Sequence, residues 1–268
     1  MIKISELYIY PVKSLAGISL QQTELTALGF KYDRRWMIVD VNGRFMTQRE
    51  IFKMATIKTA IKDNQLVLSH AEDSIVVPQC DDMDKKIQVI VWNDTLNALL
   101  VSSKVDDWLS HILAQPCHLV YMSDQVKRQV DTGFAPRGQH VSFADAYPIL
   151  VISQASINDL NEKLPEAINI NRFRPNLVVS GTPAFGEDDW SDLSINNIEF
   201  KAVKKCSRCI MPSVNQQTGI QDQVKMLATL NTYRKQDKKI KFGQNLIYKD
   251  VNLINGQTIS CADEVILK

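Results

Sequence analysis

Trp36-Met37-Ile38-Val39-Asp40-Val41, then Asn42-Gly43, then Arg44-Phe45-Met46-Thr47-Gln48 is the stretch that decides the fold class. Asn-Gly supplies the positive φ angles of a tight hairpin turn, and both arms carry β-forming side chains. Read with a two-residue loop, this hairpin sets Trp36 opposite Arg49. Arg34, Arg35 and Arg49 then converge at its open end.

The same grammar extends in both directions. Upstream, Ile2, Ile4, Leu7 and Ile9 alternate with polar residues apart from a one-residue slip, and Pro11 ends the run. Downstream, strands are predicted at Thr56 to Lys62 and Leu66 to His70 around Asp63-Asn64, then at Ser74 to Val77 and Lys86 to Trp92. Val105, Trp108, Leu109, Ile112 and Leu113 follow at helical spacing. A second helix is expected from Ser153, with Ile157, Leu160 and Leu164 on one face. A strand at Leu177 to Ser180 and a hairpin around Asn196-Asn197 (Leu193 to Ile195, Ile198 to Val203) come next. A third helix over Gln223 to Arg234 would turn Val224, Leu227 and Leu230 inward, and strands at Asn245 to Tyr248 and Val265 to Leu267 close the chain. The fold class is mainly β with peripheral α: an N-terminal β-barrel-like module, 1–122, packed on a second β-barrel domain, 123–268, with the loop around Ser123 to Gln139 as the boundary.

The bulk numbers exclude more than they assign. At 268 residues, 45% hydrophobic and with a net charge of +1, the chain has no global field to attract nucleic acid or an anionic membrane. No apolar run approaches the ~20 residues of a spanning helix. Five cysteines form no repeating framework, which fits a reducing compartment, and the expectation is a cytoplasmic protein.

Chemistry concentrates in Lys205-Cys206-Ser207-Arg208-Cys209-Ile210. Flanking cations favour the thiolate, the nucleophilic and metal-binding form. The pair is open to two readings, a redox dithiol or a soft-metal ligand. A closed zinc site is not expected, because Cys80, Cys117 and Cys261 are isolated and no His-x-x-x-His follows. Tyr10-Pro11-Val12-Lys13-Ser14 and Arg172-Phe173-Arg174-Pro175-Asn176 add cations and amides at strand ends, a set suited to phosphate. A solvated rim is the competing reading for each cation. Trp36, Trp92, Trp108 and Trp190 read as core or rim packing, and the four histidines as structural or surface residues. Glu187-Asp188-Asp189 reads as a solvated acidic turn, or as an anchor for an arginine.

Tyr10-Pro11-Val12-Lys13-Ser14, Asp33-Arg34-Arg35-Trp36, Phe173-Arg174-Pro175-Asn176, Glu187-Asp188-Asp189-Trp190, Cys206-Ser207-Arg208-Cys209 and Phe242-Gly243-Gln244-Asn245 occur in that order. Together they resemble the MOSC (molybdenum cofactor sulfurase C-terminal) superfamily, nearest to the mitochondrial amidoxime-reducing components and their bacterial relatives. The resemblance implies a pterin-based molybdenum cofactor, Mo-molybdopterin, with Cys209 as its metal ligand and catalytic thiolate. By the same resemblance Lys13, Ser14, Arg34, Asp145, Arg174, Asn176 and Ser207 hold the cofactor, while Cys206 is a packed thiol. The implied reaction is two-electron reduction of a small N-hydroxylated substrate, an amidoxime or hydroxylamine, whose oxygen leaves as water. Electrons would come from a separate ferredoxin, flavodoxin or cytochrome type of protein. A cofactor carrier or sulfur-handling protein is the alternative, without the pyridoxal phosphate domain of a complete sulfurase. Met211-Pro212-Ser213-Val214-Asn215-Gln216 departs from the family's Thr-Thr-Val-Asp-Pro. The eukaryotic members carry an N-terminal targeting and anchoring segment, and the expectation from Met1-Ile2-Lys3 is a bacterial-type protein without one.

Overall fold

The computed structural model describes residues 1–80, 85–221, 225–254 and 256–268. Seven strands among them close into a barrel. Around the ring run Ile149–Ser153, Leu177–Ser180, Ile2–Ile9, Glu264–Leu267, Asp192–Ile195, Ile198–Ser207 and Lys239–Tyr248, and the last pairs back to the first through Ile149 opposite Leu246. Closure satisfies the ladder on both sides of every strand. Leu7, Val151, Val179, Leu193, Phe200 and Leu246 fill the interior. The slip in the first strand is a bulge: Ile4 faces Val179 and Glu6 faces Val178, so Ser5 is the extra residue. That extra residue returns Ile4 and Leu7 to the same buried side.

A four-stranded sheet stands beside the barrel in the order Trp36–Asp40, Cys117–Tyr121, Asp94–Leu100, Lys86–Val91. A three-stranded sheet of Lys58–Lys62, Gln65–His70 and Asp73–Val76 adjoins it. The helix Ser103–Leu113 drives Val105, Leu109 and Ile112 into a core shared with Ile38, Leu66 and Leu119. The expected mainly β class with helices at the periphery is therefore the observed one. The two halves are interlaced, because Ile2–Ile9 completes the barrel and Thr258–Ser260 pairs with Gln22–Thr26.

Turn chemistry explains both the agreements and one correction. Asp63-Asn64 and Asn196-Asn197 take left-handed φ at both positions and set two-residue hairpins. At Asn42-Gly43 the loop has three residues, not two. The Asp40 carboxylate accepts hydrogen bonds from the Asn42 and Arg44 amides at 2.8 and 2.9 Å, and Asp40 N–H donates to Arg44 O. Val39 consequently faces Phe45, a register one residue away from the one that set Trp36 opposite Arg49. A shift by one turns every side chain to the other face. Gly43 sits at φ +76°, where an added Cβ would lie 2.4 Å from Gln88 O.

Ser153 caps the helix Gln154–Glu162 through its side chain, which accepts from Ser156 N. Leu164 lies beyond that helix, because the residue before Pro165 is driven out of the α region. It still packs, half-buried, on Ile157 and Leu160. The third helix spans Met226–Tyr233 and buries Met226 and Leu230; the predicted starting residues Gln223 and Val224 lie outside the described residues. Glu187-Asp188-Asp189 is not a solvated turn. Glu187 is fully buried and accepts from Ser153 N and Ser156 Oγ, while Asp188 binds Arg234 at 2.6 Å and Lys205 at 3.3 Å. Among the described residues no helix is long and apolar enough to cross a membrane.

Candidate functional site

A cavity of about 470 Å³ opens where both halves of the chain meet, and every sequence-predicted site residue lines it: Lys13, Ser14, Arg34, Asp145, Arg174, Asn176, Ser207 and Cys209. Arg49, Arg172, Lys204, Lys205, Arg208 and Lys239 add cations, against Asp145 as the one lining carboxylate among the described residues. The walls thus concentrate positive charge on a nearly neutral protein.

Strand ends present the buried wall. Ser14, Arg34 and Arg174 all hold left-handed φ, at 66°, 49° and 55°, a conformation that costs energy and persists where surrounding contacts enforce it. Those contacts are visible. Arg34 N–H donates to Tyr10 O, and its guanidinium reaches Asp33 Oδ2 at 2.6 Å, Asn176 Oδ1 at 3.0 Å and Arg174 O at 3.3 Å. The Tyr10 ring is sandwiched, with the guanidinium carbons of Arg34 and Arg174 4.3 and 4.1 Å from its centroid. Gly17 makes room for that ring, since a Cβ there would approach it to 2.5 Å. Arg174 Nη1 donates to Leu15 O at 2.7 Å.

Burial tunes these groups. It pushes the Lys13 ammonium down to about 8, against the upward pull of Asp145, which accepts from Lys13 Nζ at 2.6 Å. Burial alone would raise the Asp145 carboxyl, but Lys13 and Arg49 outweigh it and hold the group well below the usual carboxylate range. Arg174 is lowered to about 10 by burial and then by Arg34, and stays charged at neutral pH.

Four buried polar atoms of lining residues have no partner among the described residues: Ser14 Oγ, Tyr147 Oη, Arg174 Nη2 and Arg208 Nη2. Unpaired buried donors are costly, so an acceptor from outside the protein fits here. Arg208 is otherwise fixed, donating to Phe242 O at 2.8 Å and Phe173 O at 3.0 Å. Gly243 lets that strand approach its neighbour, where a Cβ would lie 2.8 Å from Val151 O.

The open wall carries sulfur. Cys209 is exposed and its Sγ accepts from Arg49 Nε at 3.3 Å. Cys206 is half-buried, and burial raises its thiol above the ordinary value. Ser207 Oγ accepts from Lys241 Nζ at 2.9 Å. An anion with a soft atom at its far end would meet guanidiniums on one side and the Cys209 sulfur on the other.

Some predictions did not reach the cavity. Arg35 turns away to Tyr121 Oη, Met122 O and Asp124. Trp92, read as core or rim packing, does line the cavity, 44% exposed at its rim with Arg49 stacked on it. Arg208 was passed over between its cysteines, although a cation alternating with thiols on one strand end was the available signal.

The comparisons with known proteins agree with the β-barrel fold. The MOSC N-terminal beta barrel domain matches residues 1–116 and the MOSC domain matches residues 138–266. The chain belongs to the MOSC family. Among the relatives of this MOSC protein, mitochondrial amidoxime-reducing component 1 of Mus musculus is 33% identical over 86% of the chain and 71% of its own length. Mitochondrial amidoxime reducing component 2 of Bos taurus is 32% identical over 86% and 72%. The molybdenum cofactor sulfurase of Oryza sativa is 31% identical over 97% of this chain but only 34% of its own length.

Proposed function

We propose that this MOSC protein holds a pterin-based molybdenum cofactor in the cavity and reduces small N-hydroxylated compounds with electrons from a separate protein. One observation carries the reading: an exposed Cys209 thiol faces a wall of buried cations on which Arg174 Nη2 and Ser14 Oγ lack partners. The donor set fits the group. A phosphate asks for charge-assisted N–H donors, and a thiophilic metal asks for a thiolate. Lys13, Ser14, Arg34, Arg174, Asn176 and Ser207 would hold the anionic end, and Cys209 the metal. When bound, the cofactor would supply two-electron reduction of an N–O bond, the oxygen leaving as water.

The chain's own residues do the rest. Tyr10 and Asp33 keep Arg34 aimed inward, through ring stacking and an ion pair of 2.6 Å. Asp145, with its side chain 52% exposed, is the lining carboxylate available to orient a substrate N–H. The relatives named amidoxime-reducing components support the substrate class.

The rice relative, named a molybdenum cofactor sulfurase, favours a second reading, a cofactor carrier or sulfur-handling protein without turnover. Elemental molybdenum and released pterin, measured on protein from a cofactor-competent host, test both. Near-stoichiometric metal with benzamidoxime reduction by an artificial donor supports the reductase. Bound cofactor without turnover supports the carrier, and absence of both molybdenum and pterin sinks both readings.

A further inference from the structure

Every guanidinium nitrogen of Arg49 is engaged. Nε donates to Cys209 Sγ at 3.3 Å, Nη1 to Thr47 Oγ1 at 3.2 Å and Nη2 to Asp145 Oδ2 at 2.9 Å. Its guanidinium carbon lies 4.7 Å from the Trp92 ring centroid, and Trp92 Nε1 donates to Asp145 Oδ1 at 3.3 Å. Asp145 is tied in turn to Lys13. Thr47, Asp145 and Trp92 therefore fix the plane and reach of the fork without help from sulfur. A thiol is a weak acceptor, so a donor anchored at 3.3 Å is best used when the sulfur carries negative charge. The contact joins residues 160 positions apart, one from each half of the chain.

We propose that Arg49 is the positioning residue for the Cys209 sulfur, holding it toward the cavity and withdrawing electron density from it through the Nε–H···S bond. The inference rests on the reading that Cys209 is the metal ligand. Hydrogen bonds to a ligating sulfur are a recognised lever on reduction potential, and partners behind a ligand are worth about 10–100-fold in metal affinity or activity. Withdrawing density makes a bound metal easier to reduce. Lysine does not substitute, because its point charge offers neither the fork nor the flat face that Trp92 stacks against.

The test compares wild type, Arg49→Gln and Arg49→Lys, with Arg35→Gln as a control that leaves the cavity untouched. On the holoenzyme, molybdenum per chain after gel filtration and the midpoint potential from an electron-paramagnetic-resonance titration are read. On cofactor-free protein, iodoacetamide labelling of Cys209 is followed by peptide mass at one fixed pH. Both Arg49 variants should lose about 10–100-fold in metal retention or turnover. Their remaining metal should titrate at a more negative potential, and labelling of Arg49→Gln should slow severalfold. Wild-type potential together with wild-type labelling in Arg49→Gln overturns the proposal. If wild type itself carries no molybdenum, the cofactor reading falls, while the labelling comparison still decides whether Arg49 governs the thiol. Thr47→Val, which loosens one anchor and removes no charge, decides the point if Arg49→Gln does not fold.

Discussion

Lys13, Ser14, Arg174 and Asn176 on one wall of the cavity are between 2% and 7% exposed, while Ser207, Cys209 and Lys239 on the other stand open. The buried wall is rigid by construction: left-handed backbone, guanidiniums stacked on Tyr10, an ammonium held against Phe143 O and Asp145. Desolvated cations gathered this way destabilise a protein with nothing to neutralise them, and they bind an anion without rearranging. The open wall costs little and leaves a reactive atom accessible. One wall is suited to grip, the other to react.

The largest effect should fall on the open wall. Cys209→Ser is expected to abolish measurable benzamidoxime reduction while pterin released per chain stays near wild type; loss of pterin as well would mean that the thiolate, and not the buried cations, does the holding.

Next is the pH response of the buried wall. Lys13 has a folded value of about 8 against 10.5 for the free group. Below about 8 the folded state carries a buried charge at a cost. Between the two values the unfolded chain binds a proton that the folded chain has released, so stability rises with pH. Urea unfolding of cofactor-free protein should show wild type gaining on Lys13→Met by up to about 3 kcal/mol between pH 7.5 and 10. A difference that stays flat would place the ammonium in water.

Arg174→Met keeps the volume and removes the charge. Cofactor-free protein should melt no lower than wild type, gaining about 1 kcal/mol, while pterin content falls about tenfold or more. A destabilised variant with normal pterin content would make Arg174 a structural residue. The smallest change belongs to Lys239→Gln on the open wall, less than about fivefold in cofactor retention, as expected for an exposed cation.

Much of this was legible in the sequence where chemistry is local. Asp63-Asn64 and Asn196-Asn197 announce their hairpins because left-handed φ is a property of those residues. The strands Cys117–Tyr121 and Ile149–Ser153 went unread because Trp36–Asp40 and Lys239–Tyr248, which they pair with, lie far away in sequence. Asp94–Leu100 went unread, although its neighbour Lys86–Val91 pairs with it, because its apolar positions fit helix and strand alike. Asn42-Gly43 misled by one residue because the Asp40 carboxylate, not the turn dipeptide, closes that loop. Of the residues lining the cavity, Lys13, Arg34, Arg49, Arg174 and Asn176 were legible as cations and amides at strand ends, while Asp145 and Ser207 came in only through the family resemblance. What spacing withheld was the contact across the cavity, Arg49 to Cys209, which no local pattern encodes.

The barrel strand Ile2–Ile9 pairs on one side with Leu177–Ser180, and on the other with Glu264–Leu267 at its start and Ile18–Leu20 at its end. During synthesis only the short pairing with Ile18–Leu20 can form early, because both barrel neighbours are made long afterwards. Leu7 and Ile9 therefore lack their finished core until almost the whole chain is made, an interval in which this segment is open to wrong pairing.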